Sequence, residues 1–97
     1  MNLFDYEIPK RGELFTTLLA HKNIKINRIV SAAEVKSDIY LQEEDEWVLL
    51  LEGEAVLLIK EEEHTLNKGE SLLIPAHTPH RVLHTTEGTL WLTVHIY

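Results

Sequence analysis

The spacing of apolar positions changes period once along this chain, near residue 23. From Gly12 to Ala20 the residues Leu14, Phe15, Leu18 and Leu19 recur at helical spacing and predict a short helix, stabilised by packing against something larger. Leu3 to Pro9 precedes it as an entry arm. From Ile24 the period is that of strands: Ile24 and Ile26 alternate with Lys25 and Asn27, predicting a strand through about Val30. Ser31 to Ser37 is polar, with room for one short strand around Glu34 to Lys36, and Ile39 to Gln42 is brief and extended. EWVLLL (Glu46–Leu51) reads as a buried strand, Glu52-Gly53 as a turn, and EAVLLIK (Glu54–Lys60) as the antiparallel return. Glu61–Glu63 makes the next turn, His64–Leu66 a short strand and Asn67-Lys68-Gly69 a third turn. Ser71–Ile74, His80–His84 and Leu90–Tyr97 complete about seven to nine short strands. Strands and helices do not alternate, which argues against a parallel sheet and for a small β-sandwich or barrel.

Composition narrows the setting. At 97 residues and 44% hydrophobic content the chain makes one domain, with an arm and helix over 1–22 and a β body over 23–97. A domain of this size buries roughly two-thirds of its unfolded surface, so one core is possible and its margin is thin. The absence of cysteine excludes a disulfide frame, a thiolate metal site and a thiol nucleophile. The net charge is −7, from 9 basic and 16 acidic residues, and the basic residues are scattered, which argues against a nucleic-acid partner. The acidic runs Glu43–Glu46 and Glu61–Glu63 read as solvated turns, with Glu46 set apart by the apolar run that begins at Trp47. MNLFDYEIPKRGEL lacks the basic and apolar regions of a signal peptide, and no run of about 18 apolar residues offers a membrane span. A cytoplasmic protein is the expectation.

The candidate chemistry lies in GESLLIPAHTPHRVLH, Gly69 to His84. Pro75 cannot donate to a ladder, so the strand breaks there and His77 and Thr78 sit in a bend. If a strand resumes at His80, alternation puts His80, Val82 and His84 on one face and Arg81 and Leu83 on the other. The same alternation groups Glu46 with Val48 and Leu50; a carboxylate carried into a sheet interior would seek a proton or a cation. On the last strand Trp91, Thr93, His95 and Tyr97 share a face opposite Leu90, Leu92, Val94 and Ile96, and one face meets a pocket or a partner subunit. His21 and His64 lie in polar surroundings and read as surface residues.

These residues resemble the small single-domain cupins, which are jelly-roll β-barrels. Gly69, Pro75 and His80 stand at positions of the second cupin motif, with His77 where a glycine is usual and His84 where an asparagine is usual. Glu46 and Gly53 match the first motif's glutamate and glycine, but its two histidine positions read Tyr40 and Gln42. The resemblance implies an all-β jelly-roll barrel, carrying the short N-terminal helix, with a metal pocket in its mouth. Glu46 and His80 are retained as ligands, and Gln42 and His84 are further candidates. A site of this kind would hold a divalent ion such as Zn, Ni, Mn or Fe, with more oxygen donors and weaker binding than a three-histidine site. Tyr40, His77 and His84 are the candidate acids or bases. Three functions are open on these residues: a metal-dependent cupin enzyme acting on a small oxygenated substrate, a non-catalytic binding or sensing module, and a metal-free isomerase or epimerase using a His and Tyr pair. Exposed edge strands add the expectation of a homodimer.

Overall fold

The computed structural model describes residues 1–97 and contains strands and turns only. The eight strands are β1 (Glu13–His21), β2 (Ile24–Ser31), β3 (Asp45–Glu52), β4 (Glu54–Ile59), β5 (Glu62–Asn67), β6 (Ser71–Ile74), β7 (His80–Thr85) and β8 (Thr89–Ile96). All pair antiparallel in two sheets, one ordered β1-β2-β8-β3-β6 and the other β5-β4-β7. From β3 onward the chain crosses between sheets at nearly every turn, as in a jelly roll.

Two expectations need correcting. The N-terminal helix is absent: Gly12 to Ala20 lies in β1, paired with β2 from Glu13↔Ser31 to His21↔Ile24. A bulge between Thr17 and Leu19 takes up Leu18, so the apolar pairs Leu14-Phe15 and Leu18-Leu19 fall four residues apart and imitate a helical period. β1 is also an edge strand with no buried residue, so it carries little inside-outside alternation. The second correction concerns closure. The two sheets face each other without joining edge to edge into a closed barrel; only one isolated bridge, Tyr40↔His80, extends the smaller sheet. The architecture is an open jelly-roll sandwich.

Alternation within each strand decides what fills the space between the sheets. Glu46, Val48 and Leu50 of β3 point inward, as do Ala55 and Leu57 of β4 and Trp91, Thr93 and His95 of β8. The core gathers Val48, Leu50, Ala55, Leu57, Leu66, Ile74, Val82 and Trp91, with Ala32 and Val35 from the β2–β3 connection. That connection is held by Thr85, whose hydroxyl donates to the Ala32 carbonyl (2.7 Å) and accepts from the Val35 amide (3.0 Å). The N-terminal arm is tied down by Arg28, which donates to the carbonyls of Leu3 (3.2 Å) and Asp5 (3.1 Å) on the outer side of β2.

Elsewhere the outer face of the larger sheet is apolar. Leu19, Ile26, Val94, Trp47 and Leu73 are register neighbours in one row across all five strands. Leu19 and Leu73 at its two ends are about half exposed.

Candidate functional site

At one end of the sandwich the core gives way to a cavity of about 270 Å3. Apolar walls come from Val48, Leu57, Ile74, Val82 and Trp91, and the polar lining includes Glu13, Gln42, Glu44, Glu46, His80 and His95.

Strand register brings the central groups together. Glu46 on β3 is the cross-strand partner of His95 on β8, both pointing inward, so they are neighbours by construction. His80 starts β7 in the opposite sheet and reaches across, held there by its pairing with Ile59 and its bridge to Tyr40. Glu46 Oε1 lies 3.8 Å from His80 Nε2 and 4.0 Å from His95 Nδ1, and all three residues are less than 9% exposed. Neither separation is a hydrogen bond. One carboxylate oxygen therefore stands between two imidazoles, close to both and bonded to neither.

The second nitrogens of the imidazoles are already engaged. His80 Nδ1 is 2.9 Å from the Thr78 carbonyl, and since a carbonyl only accepts, Nδ1 carries the proton. In the neutral ring this leaves the Nε2 lone pair facing Glu46. His95 Nδ1 lies 2.9 Å from Glu44 Oε2, and its Nε2 is 3.4 Å from the Thr93 hydroxyl. Gln42 Nε2 donates to the same Glu44 oxygen (3.2 Å), while Gln42 Oε1 is buried without a partner.

The electrostatics are set by this wiring. Burial holds the Glu46 carboxyl above the usual carboxylate range, against the opposing pull of His95, His80 and Gln42. Glu44 is also penalised by burial, yet its own backbone amide and His95 more than offset that and hold it below the usual range. Burial likewise raises Tyr40, reinforced by the charges of Glu13, Asp38 and Glu46, so Tyr40 is a neutral O–H donor near neutral pH. Its ring lies beside His80, with centroids 5.7 Å apart.

Four of the proposed site residues, Tyr40, Gln42, Glu46 and His80, line the cavity. The other two do not. His84 is turned to the outer face, where its Nδ1 pairs with Glu34 (3.1 Å). The cause is a bulge in β7: Val82 pairs with Leu57 and His84 with Val56, so Leu83 is taken up and the alternation that grouped His84 with His80 is broken. His77 occupies the bend with φ of 59°, its side chain exposed and its amide donating to the Gln42 carbonyl (2.7 Å).

The structure adds Glu13, Glu44 and His95. His95 was signalled by its shared face with Trp91, whereas Glu44 sat in an acidic run read as solvent-facing and Glu13 in the expected helix. No group of three or more His, Asp or Glu side chains is disposed to hold a metal ion. Of the four candidate ligands, Gln42, Glu46 and His80 line the cavity and His84 does not.

Solved structures with the same fold place this geometry in context. A candidate mannose-6-phosphate isomerase from Ralstonia eutropha JMP134 is 36% identical, with 99% of this chain and 95% of that one covered at a TM-score of 0.88. A conserved protein of unknown function from Streptococcus pyogenes is 22% identical, with coverage of 99% and 84% and a TM-score of 0.86. A cupin superfamily protein from Desulfitobacterium hafniense DCB-2 is 21% identical, with coverage of 94% and 83% and a TM-score of 0.85. No curated protein matches the sequence. Residues 31–96 match the family model described as Cupin domain, and with the jelly-roll sheets and the motif residues Glu46, Gly53, Gly69, Pro75 and His80 in place, this chain belongs to that family.

Proposed function

We propose that the cavity binds a small molecule and moves a proton on it, chemistry of the isomerase or epimerase kind. The observation that carries this reading is Glu46, a buried carboxylate lifted above its usual range and set between His80 and His95. A base needs a lone pair open to a proton: His80 Nε2 and Glu46 Oε1 stand 3.8 Å apart, beyond hydrogen-bond distance, so neither is taken up by a hydrogen bond to the other. Tyr40, neutral and adjacent, supplies an O–H to hydrogen-bond a substrate carbonyl or return a proton to its oxygen. The Glu44–His95 pair sets a second imidazole beside Glu46. That a 36% identical structure is described as a candidate isomerase is consistent with this class of reaction.

The test is a carboxyl-carbon NMR titration of Glu46. We expect its midpoint above 4.5, the ordinary glutamate value, and a further shift in His80→Ala. A midpoint at or below the ordinary value would remove the poised base and overturn the reading.

A divalent cation is the second reading, supported by the unpartnered Gln42 Oε1 and the unengaged Nε2 of His80. Glu46, His80 and Gln42 would hold it, and it would supply Lewis-acid polarisation of a substrate oxygen. Metal analysis of untagged protein after chelation and add-back decides between the two. One equivalent, lost in both His80→Ala and Glu46→Gln, establishes the second reading.

We also propose a homodimer through the outer face of the larger sheet. Five strands of four to nine residues, spaced about 4.8 Å apart and rising about 3.3 Å per residue, present roughly 600 Å2 including the part under the N-terminal arm, against the ~800 Å2 per partner of a standard interface. Light scattering is expected to return near twice 11.2 kDa, falling toward that value in Trp47→Glu. A monomeric wild type would exclude it.

A further inference from the structure

Resting on the reading of the cavity as the ligand site, we propose that its occupant is a small organic cation, an amine-bearing molecule, with Glu13 as a counter-ion. The charged and titratable groups facing the cavity are Glu13, Glu44, Glu46, Lys25, His80, His95, Tyr40 and Tyr97. Three carboxylates thus face one lysine. Glu44 is committed to His95 and Gln42. Glu46 is 8% exposed and has no imidazole nitrogen within hydrogen-bond distance.

Glu13 is wired differently. Its Oε2 accepts from the Ser31 hydroxyl (2.6 Å), and Ser31 Oγ in turn accepts from Trp91 Nε1 (2.9 Å). The chain fixes the carboxylate on the cavity wall and leaves Oε1 uncommitted. Burial raises Glu13 despite the Ser31 bond, so this carboxylate, like that of Glu46, is short of a cation.

Aromatic rings complete the enclosure. Phe15, Tyr40, Trp91 and Tyr97, four of the seven aromatic residues in the chain, line the same space. An ammonium group over such faces is attracted by the ring quadrupoles in addition to its ion pairing. An anion would have to enter among three carboxylates with Lys25 as the sole fixed positive charge. Arg28, the nearest alternative on β2, is turned to the outer face and occupied by the arm carbonyls.

The experiment uses three probes on one ring: benzylamine, benzyl alcohol and benzoate. Binding at pH 7 is followed at the two indole N–H resonances. Trp91 lies in the cavity and Trp47 on the outer face, so Trp47 is the internal control. We expect benzylamine to shift the Trp91 signal with at least ~10-fold higher affinity than benzyl alcohol, and benzoate to leave it unmoved. Glu13→Gln should lower the amine affinity by ~10-fold and leave the alcohol unchanged, in a variant whose melting curve is checked alongside. If the alcohol or benzoate binds as well as the amine, the cationic ligand is excluded while the cavity remains a binding site. If no probe moves the Trp91 resonance, both the cation and the reading of the cavity as a ligand site fall.

Discussion

Gly53→Ala is expected to lower the melting temperature by at least about 10 °C, the largest loss among the four glycine-to-alanine changes in this chain. Gly53 makes the turn from β3 into β4 with φ of +89°, where an L side chain is strained by ~1–2 kcal/mol. A Cβ there would lie 2.6 Å from Thr89 Oγ1 and 2.9 Å from the Thr89 Cα. Because the second contact is backbone, the turn itself must move, adding ~1–3 kcal/mol. The displaced atoms belong to a hydroxyl cluster in which Thr89 Oγ1 donates to the Thr86 carbonyl (2.7 Å) and Thr86 Oγ1 accepts from the Glu54 amide (3.0 Å). That cluster ties the β3–β4 turn to the β7–β8 turn, where the chain changes sheets. Gly12→Ala and Gly69→Ala are the controls: both glycines have positive φ, but a Cβ meets nothing within 4 Å at either. They should show the backbone strain alone. A Gly53→Ala melt equal to theirs would mean that the turn gives way freely and that its packing is not what holds the corner.

Glu46→Gln is expected to stabilise the fold at neutral pH while removing proton transfer. The sign is set by where the proton resides. Below the ordinary glutamate value of 4.5 both folded and unfolded chains hold it, and the residue adds no pH dependence. As pH rises past 4.5 the unfolded chain releases its proton first. Stability then falls until the folded carboxyl ionises, and the loss persists at pH 7. The amide isostere has no proton to release, so its advantage over wild type should be smallest at pH 4 and grow as pH rises toward 7. Melting curves of both proteins between pH 4 and 8 measure this directly. A glutamine variant less stable than wild type at pH 7 would show that the imidazoles hold the carboxylate after all. Glu44 runs the opposite way: held below its usual range, it contributes stability at neutral pH that is lost as pH falls through its folded value.

This pairing explains why a buried carboxylate sits where an apolar side chain would pack better. Burial makes the carboxyl at position 46 costly at neutral pH, which accords with the proton-transfer role proposed above. The same cost appears at Glu13, again raised by burial.

Much of the fold was legible in order along the chain. EWVLLL, EAVLLIK, Ser71–Ile74 and the closing strand announce themselves because their apolar alternation or continuous burial repeats every two residues, and turn residues punctuate them. The same period placed Glu46 with Val48 and Leu50, and Trp91 with Thr93 and His95, on the faces that the sandwich buries. The motif spacing singled out His80. Two failures of local reading come from bulges. Leu18 in β1 and Leu83 in β7 are each an extra residue that shifts the phase, turning one strand into an apparent helix and sending His84 outward.

What the sequence by itself determined is therefore the kind of element from Ile24 onward, most of the strand boundaries there, and which residues of an unbulged strand share a face. Backbone sterics and side-chain period settle those within a few residues of each other. Only the tertiary structure decided which faces meet. That Glu46 stands opposite His95, that His80 crosses from the other sheet, and that Glu13 joins them through Ser31 and Trp91 all depend on the order β1-β2-β8-β3-β6 and its registers. The β8 pairings that set this arrangement link residues 38 to 72 positions apart, and no period along the chain encodes them.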